Sequence, residues 1–138
     1  MQSASDTLQN TERSYIDDEF QQLSSEIDRI ANSTEFNGIK LTDGSNATSG
    51  INVQVGITSN TTNSQITIQL TDLTASAGLG LGSVSLTSSA SALTALDTID
   101  AALNSVNSAR SKLGAVQNRL ESSLNNSETY VESLSAAA

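Results

Sequence analysis

Histidine, cysteine, tryptophan and proline are all absent from this chain of 138 residues, and aromatic residues make up 3% of it. Without histidine or cysteine there is no imidazole base, no thiol nucleophile and no soft metal ligand. The lack of cysteine also removes any disulfide framework. With so few rings, the core must be built from Leu, Ile, Val and Ala, a composition suited to helices packed side by side. With no proline, nothing in the chain forbids a very long helix. Basic residues are scarce too: six Lys and Arg stand against fifteen Asp and Glu, for a net charge of −9. No basic cluster gathers, so nucleic acid is not an expected partner. No run of about 18 apolar residues occurs, so no membrane insertion is expected. The opening MQSASDTLQN lacks the basic and apolar blocks of a secretory signal. The length suits one domain, or a piece of one, with a modest core.

What is present divides into three parts. Residues 11–32 predict a helix, capped by Asn10 or Thr11 and with Glu12 in its first turn. Ile16, Phe20, Leu23, Ile27 and Ile30 alternate at fours and threes, which predicts a single buried seam. Asp17, Asp18, Gln21, Ser25 and Asp28 fall opposite, and Arg13–Asp17 and Glu26–Arg29 are spaced to meet. Residues 33–87 have another texture. GINVQVG (50–56) and QITIQL (65–70) alternate apolar and polar residues, so the simplest reading is an antiparallel β-hairpin joined by the turn-rich ITSNTTNS. The following ASAGLGLGSVSLTSS predicts loop or short irregular strand. Residues 88–138 predict one long helix, with Leu93, Leu96, Ile99, Leu103, Val106, Leu113, Val116, Leu120, Leu124, Val131 and Leu134 recurring mostly at threes and fours. A helix of about fifty residues is a rod of roughly 75 Å. Its apolar stripe needs a partner, of which the first helix covers less than half. The fold class is α+β, mainly helical: a coiled-coil-like rod with a β-hairpin between its two helices.

No stretch supports catalysis. Asp17-Asp18-Glu19 point in different directions on a helix and read as a solvated acidic face. GLGLG (78–82) has neither the spacing nor the Lys-Ser/Thr of a phosphate loop. DGSNAT (43–48) lacks the alternating acidic ligands and closing Glu of a calcium loop. Asn32, Asn46, Asn60 and Asn125 each begin an Asn-x-Ser/Thr sequon, as chance provides in a chain so rich in those residues. No enzyme, cofactor or metal site is expected.

Two ordered segments carry a resemblance. EIDRIANSTEFNGIKLTDG (26–44) resembles the segment that follows the second N-terminal helix of bacterial flagellins. LDTIDAALNSVNSARSKLGAVQNRLESSLNN (96–126) resembles that family's long C-terminal core helix, above all in IDAAL and LGAVQNRL. The resemblance implies that Phe36 anchors the thin aliphatic core beside Ile39 and Leu41, with Asn37-Gly38 supplying the turn that brings it there. It also implies a core fragment of a short flagellin, in which Met1 is a start-codon scar, and a preceding helix and the terminal assembly segments are missing.

By the same resemblance the chain is a structural subunit of the secreted, extracellular flagellar filament. Its partners are other flagellin subunits, and a fragment of this kind is expected to fold locally without polymerising alone. The flagellin-sensing Toll-like receptor is a second implied partner. Glu19 matches an acidic receptor contact and Gln22 lies on the same face, whereas other contacts fall on the absent helix, so activation should be weak or nil. Asp100 and Arg119 match positions near intersubunit contacts, and salt bridges between helices would explain them equally well. A secreted coiled-coil or adhesin module with a β-hairpin head would share the helices without the paired motifs. The uncovered stripe is expected to associate, by antiparallel pairing with a second copy.

Overall fold

Threes-and-fours spacing, uninterrupted by proline, makes two helices of very unequal length. In the computed structural model, which describes residues 1–5 and 7–137, α1 spans Asn10–Ser33. A tight hairpin follows, β1 (Glu35–Phe36) with β2 (Ile39–Lys40), and then a second, β3 (Ile51–Gln54) with β4 (Gln65–Ile68). The single helical turn α2 (Thr61–Ser64) sits inside the second connection. Finally α3 runs from Ser89 to Ala137, 49 residues or about 74 Å. Ser88 caps it, its Oγ accepting the Ser91 N–H at 3.1 Å.

Both hairpins follow from local chemistry. Asn37 and Gly38 have φ of 52° and 76°, the two positive values that a two-residue turn of the I′ type requires. That turn pairs Phe36 with Ile39 and Glu35 with Lys40, whose side chains form an ion pair of 2.8 Å. In the larger hairpin Val53 faces Ile66 and Ile51 faces Ile68, so the alternating apolar residues share one face. Ile66, on that face, is buried. Asn60 caps α2 by accepting the N–H groups of Thr62 and Asn63, which turns the ten-residue connection back on itself.

The core forms where the sequence predicted loop or short irregular strand. Residues 73–86 make a strap beside α1 and α3, with a 3₁₀ turn at Leu81–Ser83. Ala75, Leu79, Leu81 and Val84 of this strap pack with Ala95 and Ala102 of α3, and Phe20, Ile27, Ile99 and Val106 close around them. Alanine lines the contact on α3 because a backbone segment can approach closely only where side chains are short. The buried positions are Ala92, Ala95, Ala102 and Ala109, with Ile99 and Val106 half-buried between them. The leucines beside this line, such as Leu93 and Leu103, stay exposed.

Polar groups on α1 hold the strap in place. The Leu86 N–H donates to Asp17 Oδ1 at 2.6 Å and the Ser76 N–H to Asp28 Oδ1 at 3.3 Å. Gln21 Nε2 donates to the Val84 carbonyl at 2.9 Å. These residues were predicted to face solvent; instead they satisfy backbone groups of a segment that has no ladder of its own. Arg13 was predicted to meet Asp17 and does not. It is buried, and its guanidinium donates to the carbonyls of Ser3 and Ser5, both at 2.9 Å, and to Asn10 Oδ1 at 3.2 Å. The turn at Gln2–Ala4 is thereby fixed across the helix starts, where Ser3 Oγ reaches the Leu86 carbonyl and Ser89 Oγ the Ala4 carbonyl. The expected cap also moves: Gln9 precedes the helix without a side-chain cap, and Asn10 is its first residue.

At the start of the strap, Asp72 Oδ1 accepts both the N–H and the hydroxyl of Thr74, and the Gly78 N–H reaches Thr74 Oγ1 at 3.2 Å. This coil brings Gly78 so close to residue 72 that an added Cβ would overlap the Asp72 carbonyl. Gly78→Ala is therefore expected to destabilise the fold by about 1–3 kcal/mol through overpacking. Urea unfolding followed by helical circular dichroism measures it, and an unchanged midpoint would contradict this account of the strap.

Candidate assembly surface

The covered line on α1 is Arg13, Asp17, Phe20, Ser24, Ile27 and Ala31, each buried or half-buried. It shares Phe20 and Ile27 with the predicted seam, but Leu23 is 59% exposed and Ile30 also lies open. The strap occupies one side of α1, and the apolar residues predicted as seam border the other. There a groove of about 280 Å³ opens between the helices. Phe20, Leu23 and Ile27 form one wall, Ile99, Leu103 and Val106 the other, and Leu79 and Leu81 reach it from the strap.

The covered line of α3 continues beyond Ala109 through Leu113, Val116, Leu120, Leu124, Val131 and Leu134 at nearly unchanged spacing. Its cover does not continue. The β3–β4 hairpin borders one flank, where Val55 and Ile66 face Asn118, Arg119, Ser122 and Ser123 across a cleft of about 380 Å³. Val116 and Leu120 are half-buried. Farther on, Leu124 is 60% and Val131 61% exposed, and Leu134 is open as well. The groove and this bare stretch make a connected apolar surface of the kind that marks an interaction site.

Little else offers chemistry. Arg119 is the one charged side chain lining the cleft beside the hairpin, among neutral polar neighbours. No group of three or more carboxylates converges on a metal site among the described residues. Glu26 titrates below the ordinary carboxylate range because Arg29 donates hydrogen bonds to it, at 2.7 Å from Nε, and adds its charge. Asp43 is lowered as well, by the hydroxyl and backbone N–H of Ser45. Each contact contributes above the ordinary carboxylate range and is lost as pH falls through the lowered value. Each partner lies within three residues in sequence, so these are local contacts.

The residues singled out from sequence are scattered over this frame. Glu19 and Gln22 are exposed on α1, and among the described residues neither makes a side-chain hydrogen bond. Asp100 and Arg119 are exposed on α3, and among the described residues neither belongs to an ion pair. Asn37 and Gly38 form the expected turn, but Phe36 is not a core anchor. It is 75% exposed, because the I′ turn projects it outward opposite Ile39. The segment is held instead by Thr42 Oγ1 donating to the Ala31 carbonyl at 2.8 Å and the Leu41 N–H donating to the Thr34 carbonyl at 3.1 Å. The groove, and the strap that positions it, were not found from sequence. Glycines and serines over 73–86 give no period, and the only signal was Leu79, Leu81, Val84 and Leu86 at short spacing.

Packing makes opposite demands on neighbouring α3 positions. Ala95→Leu should destabilise by about 1–3 kcal/mol, because the strap leaves no room. Leu93→Gln, on the exposed flank, should change stability by about 0.5 kcal/mol or less. Urea midpoints of the two variants test the alanine contact, and the reverse order would refute it.

Comparison with known proteins gives two family matches, one at each end. Residues 1–47 match the bacterial flagellin N-terminal helical region and residues 96–138 the bacterial flagellin C-terminal helical region. YvzB of Bacillus subtilis strain 168, a protein named among the flagellins, is 42% identical over 117 residues, covering 83% of this chain and 70% of YvzB. A flagellin of Halalkalibacterium halodurans is 38% identical over 138 residues, covering 99% of this chain and 49% of the relative. The flagellar filament 30.7 kDa core protein of Treponema maltophilum is 36% identical over 146 residues, covering 99% and 51%. The chain thus spans about half the length of the latter two relatives.

Proposed function

The chain belongs to the flagellin family, and from that premise we propose that it is a structural subunit of the bacterial flagellar filament, exported and assembled outside the cell. The observation that carries the proposal is the uncovered apolar surface of α3 and the adjoining groove, which in a filament would pack against other flagellin subunits. The family is structural, and nothing in the cleft beside the hairpin argues for a reaction. Asp100 and Arg119 are intersubunit contacts in this reading, each exposed on α3 and, among the described residues, outside any ion pair. A peptide tag placed between the exposed residues Thr48 and Ser49 of the chromosomal gene tests it. Immunogold should decorate purified filaments along their length, and filaments without label would overturn the proposal.

A second reading concerns the flagellin-sensing Toll-like receptor, favoured by the exposure of Glu19 and Gln22 on one side of α1. A carboxylate here can make a charge-assisted contact in a receptor groove. Two residues are a small part of the 20–30 per side that a stable interface commonly uses. Reporter cells given the purified chain should therefore respond weakly or not at all. Potency equal to that of a complete flagellin would refute this limited footprint.

A further inference from the structure

We propose that Asn37 is a site of spontaneous intramolecular deamidation, and that its isoaspartyl product undoes the β1–β2 hairpin. The first argument is sequence. Asparagine is a thermolabile side chain. The nucleophile that converts it is the backbone nitrogen of the next residue, and glycine alone sets no side chain beside that nitrogen. Of the twelve asparagines in the chain, only Asn37 is followed by glycine.

The second argument is hydrogen bonding. Asn37 and Gly38 are exposed, and among the described residues neither the Asn37 side chain nor the Gly38 N–H makes a hydrogen bond. The two-residue turn explains this, because the ladder pairs Phe36 with Ile39 and stops there. At the other asparagines one reacting group or the other is engaged. Asn46 Nδ2 donates to the Lys40 carbonyl at 3.0 Å and Asn32 Nδ2 to the Asp28 carbonyl at 2.7 Å. Asn52 Oδ1 accepts the Thr67 hydroxyl, Asn60 Oδ1 the N–H groups of Thr62 and Asn63, and Asn10 Oδ1 an N–H of Arg13. After Asn63 the Ser64 N–H donates to the Asn60 carbonyl. The remaining five stand within α3, where helical bonding takes up the following N–H.

Water is the one co-reactant the chemistry needs. Solvent hydroxide removes the Gly38 N–H proton, and the nitrogen forms a bond to Asn37 Cγ. The Cγ–Nδ2 bond breaks, and ammonia leaves with a proton taken from water, which regenerates the hydroxide. Water then opens the cyclic imide. Cleavage at Cγ leaves aspartate, whereas cleavage at the main-chain carbonyl carbon leaves isoaspartate. Aspartate keeps the turn, since it tolerates a φ of 52° as asparagine does. Isoaspartate routes the main chain through Cβ and Cγ and so lengthens a turn that matches the strands only with two residues of ordinary length. Phe36 and Ile39 then lose register, and the Glu35–Lys40 ion pair of 2.8 Å is lost with them. Residues 35–40 hold everything the reaction uses, so the inference is independent of a filament role.

The purified chain, aged at mildly alkaline pH and digested, tests the site by peptide mass spectrometry. Asn37 should convert several-fold faster than any other asparagine, and labelling by an isoaspartyl methyltransferase should fall at that position. Conversion of another asparagine first, or of none, overturns the proposal. Asn37→Gly, which keeps positive φ accessible, should abolish the fast methyltransferase labelling, and labelling at the original rate would also overturn it. The fate of the hairpin is read from nuclear Overhauser contacts between Phe36 and Ile39. These should vanish in the isoaspartyl fraction and persist in freshly prepared Asn37→Asp, which carries the same added charge. Their survival in the isoaspartyl fraction, or their loss in Asn37→Asp, refutes the claim that the lengthened main chain undoes the turn.

Discussion

A helix of 49 residues carries more apolar seam than the rest of this chain can cover, and the other elements are arranged by that shortage. The 24 residues of α1 run beside only the first part of α3 and do not fill the space between the two helices. The strap fills one side of that space, over Ala95 and Ala102, and leaves the other as a groove. The hairpin and its connection then border one flank of α3 from Asn118 to Val131, and Leu124, Val131 and Leu134 of the seam stay exposed. Close approach of the strap to α3 depends on alanine. Leucine along the same line would hold the strap off and open voids that a core without large rings could not fill.

A strap without its own ladder brings backbone groups that must find partners elsewhere. This explains why carboxylates and an amide stand on the side of α1 that meets it. Asp17 and Asp28 accept its N–H groups, and Gln21 donates to one of its carbonyls. Arg13 does the same for the turn at Gln2–Ala4. A guanidinium among carbonyl dipoles is well placed: it offers several donors in a rigid fork, and each carbonyl has lone pairs to spare. The buried line of α1 therefore contains the polar residues Arg13 and Ser24, which a pattern of apolar residues alone does not identify.

Periodicity explains how much of this was legible. Both long helices, the alternation of β3 and β4, and the Asn37-Gly38 turn have strong local signals and lie where the residues predict. The strap has none, because Ser, Gly and Thr separate its few apolar residues irregularly. The seam of α1 was displaced by one flank for a related reason. Spacing shows which residues are apolar but not which side a neighbour will cover, so Leu23 and Ile30 belong to the predicted stripe and not to the core. The anchoring of Phe36 that the resemblance implied does not appear here, where Phe36 pairs with Ile39 across its own I′ turn and stays exposed. The motifs at 26–44 and 96–126 were informative about family in spite of this, since a match of residue identities in order does not require knowing which side of a helix is covered.

The same imbalance that shapes the fold sets the conditions for association. Each chain carries a net charge of −9, which opposes bringing two of them together. That repulsion is spread over exposed carboxylates and is screened beyond about 8 Å at physiological ionic strength. Burial of the seam is short-ranged and is not weakened by salt in this way. The balance therefore moves toward contact as ionic strength rises, and the acidic surface acts as a brake on association rather than a bar to it. A chain that buried α3 fully within itself would need no such brake. Here the acidic charge and the exposed stretch of seam occur in the same chain, so salt shifts the balance between them.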